Sequence, residues 1–234
     1  MHPRVPAIVA QLEALGNEAR KAAFARSAPS ALRSLGVAVP DLRPISRALI
    51  AEHRTSPPAE VKALVFALAG EGSFEARQVG YELLAGHRAA LASLSRAELL
   101  TLGEGMDNWA TADTYAEMIV GVSWLRGHVD DALILELTRS PDRWWRRSAL
   151  VATVALNKKA RGGKGDPTQT LPVCRALVAD PDDMVVKALS WALRELLEWE
   201  PDLVADFVRE HDAVLASRVK REVGNKLRTG KKSG

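Results

Sequence analysis

The 234-residue sequence has a single cysteine, Cys174, which excludes a disulfide framework and a cysteine-rich zinc site. Its five histidines (His2, His53, His87, His128 and His211) lie far apart, with no HExxH or similar pair. No apolar run approaches a membrane span, and the opening MHPRVPAIVAQLEALG lacks the long hydrophobic stretch of a leader. A soluble, cytoplasmic protein without metal or organic cofactor is therefore expected. Aromatic residues are scarce, yet six of the twelve are tryptophan: Trp109, Trp124, Trp144, Trp145, Trp191 and Trp199. Such large flat side chains are costly to place, so their positions carry information. Strand-like alternation is also missing throughout.

Net charge is nearly absent as well. The 32 basic and 29 acidic residues leave a formal +3. That average hides a segregation. From Arg143 to Lys164, RWWRRSALVATVALNKKARGGK has seven cations and no acid. From Arg218 onward, RVKREVGNKLRTGKKSG has seven cations and one Glu. The two stretches together carry +13 and the remainder −10. Positive charge gathered on an otherwise acidic body points to a polyanionic partner.

What is abundant is helical spacing. VPAIVAQLEAL, ISRALIAEH, VKALVFALAG, RQVGYELLAGH and YAEMIVGVSWL repeat apolar residues at i, i+3, i+4. Pro and Gly punctuate these segments at ordinary helix lengths. Self-comparison aligns SPDRWWRRSALVAT from Ser140 on DPDDMVVKALSWAL from Asp180, an offset of 40 residues. Pro141 then falls on Pro181, Asp142 on Asp182 and Arg147 on Lys187, with the Pro-Asp pairs placed to cap helices. GSFEARQVGYELLAG and MDNWATADTYAEMIVG precede them at roughly similar intervals. The expected fold is all-α: a HEAT-like helical-repeat solenoid of about six helix pairs with a concave basic face. It runs over residues 1–228, with a basic tail at 229–234. Arg77, Asp113, Arg147 and Lys187 would form a row along that face.

Two segments stand apart from the core helices. NKKARGGKGDPTQ (157–169) is a basic, Gly-rich loop without the GxxxxGK[ST] spacing of a P-loop. It is either a solvated connection or a loop whose cations and backbone amides approach phosphates. The stretch after Arg218 reads as a last helix carrying cations, fraying at GKKSG.

Four segments, LGVAVPDLRPISR (35–47), MDNWATADTYAEMIVG (106–121), DRWWRRSALVA (142–152) and VVKALSWALRE (185–195), occur in the order and spacing of the bacterial AlkD-type DNA alkylation-repair proteins. The chain resembles that family from about residue 2 to 228. The resemblance implies a HEAT-like solenoid that holds double-stranded DNA, and a monofunctional glycosylase that removes cationic alkylpurines such as 3-methyladenine and 7-methylguanine. On the matching positions Asp113 is the catalytic carboxylate, Trp109 and Trp191 contact the lesion nucleotide, and Arg147 holds the backbone. Arg146, Lys158, Lys159, Arg161, Lys164, Lys187, Arg218, Lys220 and Arg221 are the further expected backbone contacts. Two positions depart from the family: Ala110 follows Trp109 where many members have Asp, and Ser27 falls where an aromatic is expected.

The implied chemistry suits these residue types. An N3- or N7-alkylated purine is already cationic and leaves readily, so a strong general acid is not needed. A carboxylate beside the sugar stabilises its oxocarbenium-like character, and flat aromatic faces favour a cation. Asp113 lies four residues beyond Trp109 and therefore on the same helix face. Tyr115, Trp124 and Trp199 read as packing residues. Of Trp144 and Trp145 only one can face inward. The alternative readings are a non-catalytic module for bent, branched or damaged DNA, or a protein-scaffolding helical array. A monomer without an obligate protein partner, on the bacterial nucleoid, is expected.

Overall fold

The computed structural model describes residues 2–233. Met1 and Gly234, the outer ends of the expected domain and tail, lie outside the described residues. Among those described, helices alternate with short connections, and the only extended pairing is an isolated bridge between Arg33 and Ser73. The fold is all-α and helical-repeat, as its periodicity predicts. The chain divides into two compact units, one ending at Ile119 and the other starting at Val120.

The first unit contains α1 (Val5–Ala14), α2 (Glu18–Ser27), α3 (Val39–Glu52), α4 (Pro58–Ala69), α5 (Phe74–Gly86), α6 (Arg88–Ala92), α7 (Arg96–Gly103) and α8 (Trp109–Tyr115). Helix α5 lies at its centre, packed against α1, α3, α4, α6 and α8. Because α5 is covered on nearly every side, its polar residues Glu75, Arg77 and Gln78 are buried and each requires a partner. The Glu75 carboxylate accepts the backbone N–H groups of Leu35 (2.8 Å), Gly36 (2.8 Å) and Val37 (3.1 Å) and the Ser34 hydroxyl (3.2 Å). Gly36 has φ +77°, which lets three successive amides converge on one carboxylate. Arg77 donates to the carbonyls of Ala69 (3.2 Å) and Glu104 (2.9 Å).

The second unit contains α9 (Gly121–Leu125), α10 (Asp131–Leu137), α11 (Arg143–Asn157), α12 (Pro167–Ala176), α13 (Asp183–Leu196), α14 (Pro201–Glu210) and α15 (Ser217–Thr229). A π-helical stretch, Ala116–Val120, leads into α9. The pairs α10/α11, α12/α13 and α14/α15 each pack internally, while α11, α13 and α15 stack in succession. Matching ends adjoin in that stack: α11 begins beside the start of α13, and Asn157 at the end of α11 meets Trp199 just beyond α13. The three helices therefore run parallel, as second helices of consecutive repeats do. Their facing sides bury Leu150, Val151, Val154, Leu189, Leu193, Leu196, Val219 and Val223.

The expected caps are present. Asp142 accepts the N–H of Trp144 at 2.9 Å and Asp182 that of Met184 at 2.8 Å, 40 residues apart. That offset is the unusual one. Helices α3, α5, α8, α11, α13 and α15 start at 39, 74, 109, 143, 183 and 217, so the other intervals are 34 or 35 residues. The connection from α11 to α12, which includes the Gly-rich loop, accounts for the longer step. Tryptophans pack largely as expected: Trp124 and Trp144 are buried, while Trp145 is partly exposed.

Glu75→Gln sets an amide NH2 against a backbone donor in a buried place. It should cost about 2 kcal/mol, the penalty for a buried polar group left unsatisfied. Urea denaturation at neutral pH checks this.

Candidate functional site

In the first unit, Asn108 caps α8 through its side-chain oxygen, which accepts the Thr111 N–H at 3.0 Å. That cap fixes Trp109 as the first helical residue and sets Asp113 one turn later. Trp109 keeps 39% of its surface exposed, the only tryptophan among the exposed large apolar residues described. Its indole N–H donates to the Ser27 carbonyl at 3.0 Å. Asp113 is half-buried on the same side of the helix. Tyr115, further along, is fully buried, and its hydroxyl donates to the Leu99 carbonyl at 2.8 Å. It is a packing residue, as its spacing suggests.

The bond from Trp109 belongs to a larger clamp that sequence reasoning missed. Asp107 accepts the Ser30 hydroxyl at 2.5 Å and the backbone N–H of Ala31, and Asn108 donates to the same hydroxyl at 3.1 Å. Three consecutive side chains thus hold the non-helical segment after α2. Burial alone would raise the Asp107 pKa. The Ser30 hydroxyl, the Ala31 N–H and the Asn108 amide together hold it below the ordinary carboxylate range. Ser27, where an aromatic is expected, therefore lies against Trp109 and offers a carbonyl. The aromatic of α2 is Phe24, one turn earlier, with its ring 4.7 Å from that of Phe74.

In the second unit most expected cations already have partners. Arg147 is 6% exposed and donates to the Met184 carbonyl at the start of α13. Arg77 in the first unit makes the same kind of tie, from its helix to the segment preceding α8. Of the expected row Arg77, Asp113, Arg147 and Lys187, the two arginines are therefore buried links within their units. Arg146 pairs with Asp180 at 2.7 Å and bonds the Ser140 and Pro141 carbonyls, each at 3.0 Å. Lys187 pairs with Asp183 at 2.6 Å, and Arg218 reaches Asp183 at 3.6 Å and Glu222 at 3.5 Å. Lys220 lies 3.1 Å from Asp212, and Arg221 is exposed. Trp191 is half-buried, its indole N–H donating to Glu195 at 2.9 Å.

The Gly-rich loop is folded. Its backbone N–H groups from Arg161 to Asp166 are all taken internally, with Lys164 and Gly165 both donating to the Leu156 carbonyl. This removes the reading in which its amides cradle phosphate. Gly162 at φ +90° makes the turn possible. Lys158 and Arg161 are partly exposed, Lys164 is exposed, and Lys159 sits 5.1 Å over the Trp199 ring. Trp199 itself donates to the Asn157 carbonyl at 2.6 Å. Among the described residues no group of three His, Cys, Asp or Glu is placed to hold a metal ion, and no helix is long and apolar enough to cross a membrane.

The fold defines the class: an all-α helical-repeat protein, here with an exposed tryptophan and a carboxylate one turn away. The comparisons narrow that class. The family model described as DNA alkylation repair enzyme matches residues 8–227, so the chain belongs to the DNA alkylation repair family, whose substrate or partner is DNA. A solved structure described as a predicted DNA alkylation repair enzyme from Enterococcus faecalis shares the fold, with a TM-score of 0.71. It is 19% identical, and the match covers 90% of this chain and 95% of that one. Comparison with curated proteins gave no match.

Asp107→Asn tests the clamp through its pH dependence. A depressed folded-state pKa contributes stability above the unfolded value of about 3.9, lost as pH falls through the folded one. The variant should therefore be less stable than wild type at pH 7, with the difference shrinking as the pH drops below about 3.9. Urea midpoints across that range measure it.

Proposed function

We propose that this protein is a monofunctional DNA glycosylase acting as a monomer on duplex DNA, excising purines made cationic by N3 or N7 alkylation. One observation carries the reading: in a chain of the DNA alkylation repair family, Trp109 is exposed and held by its indole N–H, with Asp113 one helical turn away. With its N–H occupied, the ring offers a fixed face rather than a donor. A fixed aromatic face attracts a positively charged base. The Asp113 carboxylate would stabilise the sugar as it gains positive charge and would orient a water for attack at the anomeric carbon. Breakage of the glycosidic bond releases the neutral alkylated base, and water adds to the sugar to leave an abasic site.

Arg147 acts by holding the start of α13. Deep burial of a flipped base is not required in this scheme, because the leaving group needs no protein acid. A second reading, damage recognition without excision, is favoured by two positions. Ser27 offers a carbonyl where an aromatic wall is expected, and Ala110 brings no second carboxylate beside Trp109.

Release of 7-methylguanine from methylated duplex DNA separates the two readings. Glycosylase action requires release, falling about 10²–10³-fold in Asp113→Asn, the scale for loss of one preorganised electrostatic group. Trp109→Ala should also slow release. No release at any enzyme concentration, with duplex affinity retained, would leave the non-catalytic reading.

A further inference from the structure

Parallel packing of α11, α13 and α15 gives the second unit two edges, and the structure treats their charges differently. At the edge where the helices start, four of the cations are matched by carboxylates of their own or a neighbouring repeat. Arg143 lies 3.4 Å from Asp182, Arg146 is 2.7 Å from Asp180, and Asp183 takes both Lys187 and Arg218. A phosphate arriving there would face these aspartates at close range or have to displace them. These pairs neutralise much of the seam between repeats.

The edge where the helices end is built otherwise. It comprises segments 158–166, 197–200 and 226–233, which carry eight Lys and Arg against three carboxylates. The segments are continuous in space. Lys159 covers the Trp199 ring, Trp199 bonds the Asn157 carbonyl, Lys226 pairs with the neighbouring Glu198, and Asn225 bonds the Lys232 carbonyl. Lys159, Lys164, Arg228 and Lys231 are exposed and have no carboxylate within ion-pair distance among the described residues.

Helix C-termini ordinarily repel anions through their free carbonyls. Here those of α11 are covered. The Leu156 carbonyl accepts two loop N–H groups, Val154 accepts that of Lys158, and Asn157 accepts the Trp199 indole. The Gly-rich loop thus masks the negative end of α11 and carries cations on its outside.

We infer that the duplex backbone runs along this C-terminal edge of the second unit, with Lys164, Arg228 and Lys231 as phosphate contacts, while Arg143, Arg146 and Arg218 serve to join repeats. The inference rests on the DNA-binding part of the proposed function. It divides the cations by the company they keep.

Salt-dependent binding of a labelled, undamaged DNA duplex to the full chain tests it. Each lost phosphate contact lowers the slope of log affinity against log salt by about 0.9. The triple variant Lys164→Gln, Arg228→Gln, Lys231→Gln should lose about 2–3 units of slope, with an unchanged melting temperature. The charge-keeping set Lys164→Arg, Arg228→Lys, Lys231→Arg should bind as wild type does. The pair Arg143→Gln, Arg146→Gln should melt earlier and keep its slope. An unchanged slope in the triple variant, or a fall confined to the pair, overturns the edge assignment alone. Absence of duplex affinity in the wild type at low salt overturns the DNA reading as well.

Discussion

Glu75 is a carboxylate with almost no contact with water, and much of the first unit's ordering follows from how it is satisfied. Burying an unpaired carboxylate costs several kcal/mol, so the fold must bring it donors. They come from one short run of backbone, Leu35 to Val37, whose own amides have no helix to join. Each side thus requires the other. Once 34–37 is fixed on α5, Arg33 can exchange backbone bonds with Gly72 and Phe74, and the preceding residues come within reach of Asp107 and Asn108. Ser27 then presents its carbonyl to Trp109. The exposed indole face is thereby linked, through backbone rather than side-chain packing, to a carboxylate buried in the core.

The second unit rests on a different device. Its repeats are joined by cations at the start of one helix reaching acids or carbonyls at the start of the next. The Arg146–Asp180 pair, largely buried and held by further hydrogen bonds, contributes more than a freely exposed one. Such pairs also change what the charge pattern means. A run of arginines in the sequence is a positive patch only if the neighbouring repeat brings no aspartates to it, and here it does.

The helical architecture was legible because apolar spacing and capping residues are local signals. Asp142 and Asp182 could be read as caps from their own neighbours. The 40-residue period was recovered from the best-matched pair of helices, which happens to be separated by the one extra loop; the 34- and 35-residue steps lack a shared Pro-Asp cap and so left little trace. Trp109 and Asp113 stand out through the family resemblance, and their four-residue spacing puts them on one helix face. Asp107 does not, since its partners Ser30 and Ala31 lie 77 and 76 residues away and two of its three bonds involve no distinctive residue type. Arg146 and Arg147 look unpaired in the sequence because Asp180 and the Met184 carbonyl meet them only after the repeats stack. The closed hydrogen bonding of the Gly-rich loop was equally hidden, as composition does not reveal where amides point.

The lone cysteine of the chain lies in α12. Cys174 is fully buried, and that burial pushes its thiol pKa up to about 12. Almost none of it is thiolate near neutrality, and the thiolate is the reactive form. The native thiol is therefore expected to react far more slowly with maleimides and iodoacetamides than an exposed one. A thiol introduced anywhere on the protein's surface becomes the preferred labelling position, so dyes or spin probes can be attached to either unit without first removing the native cysteine.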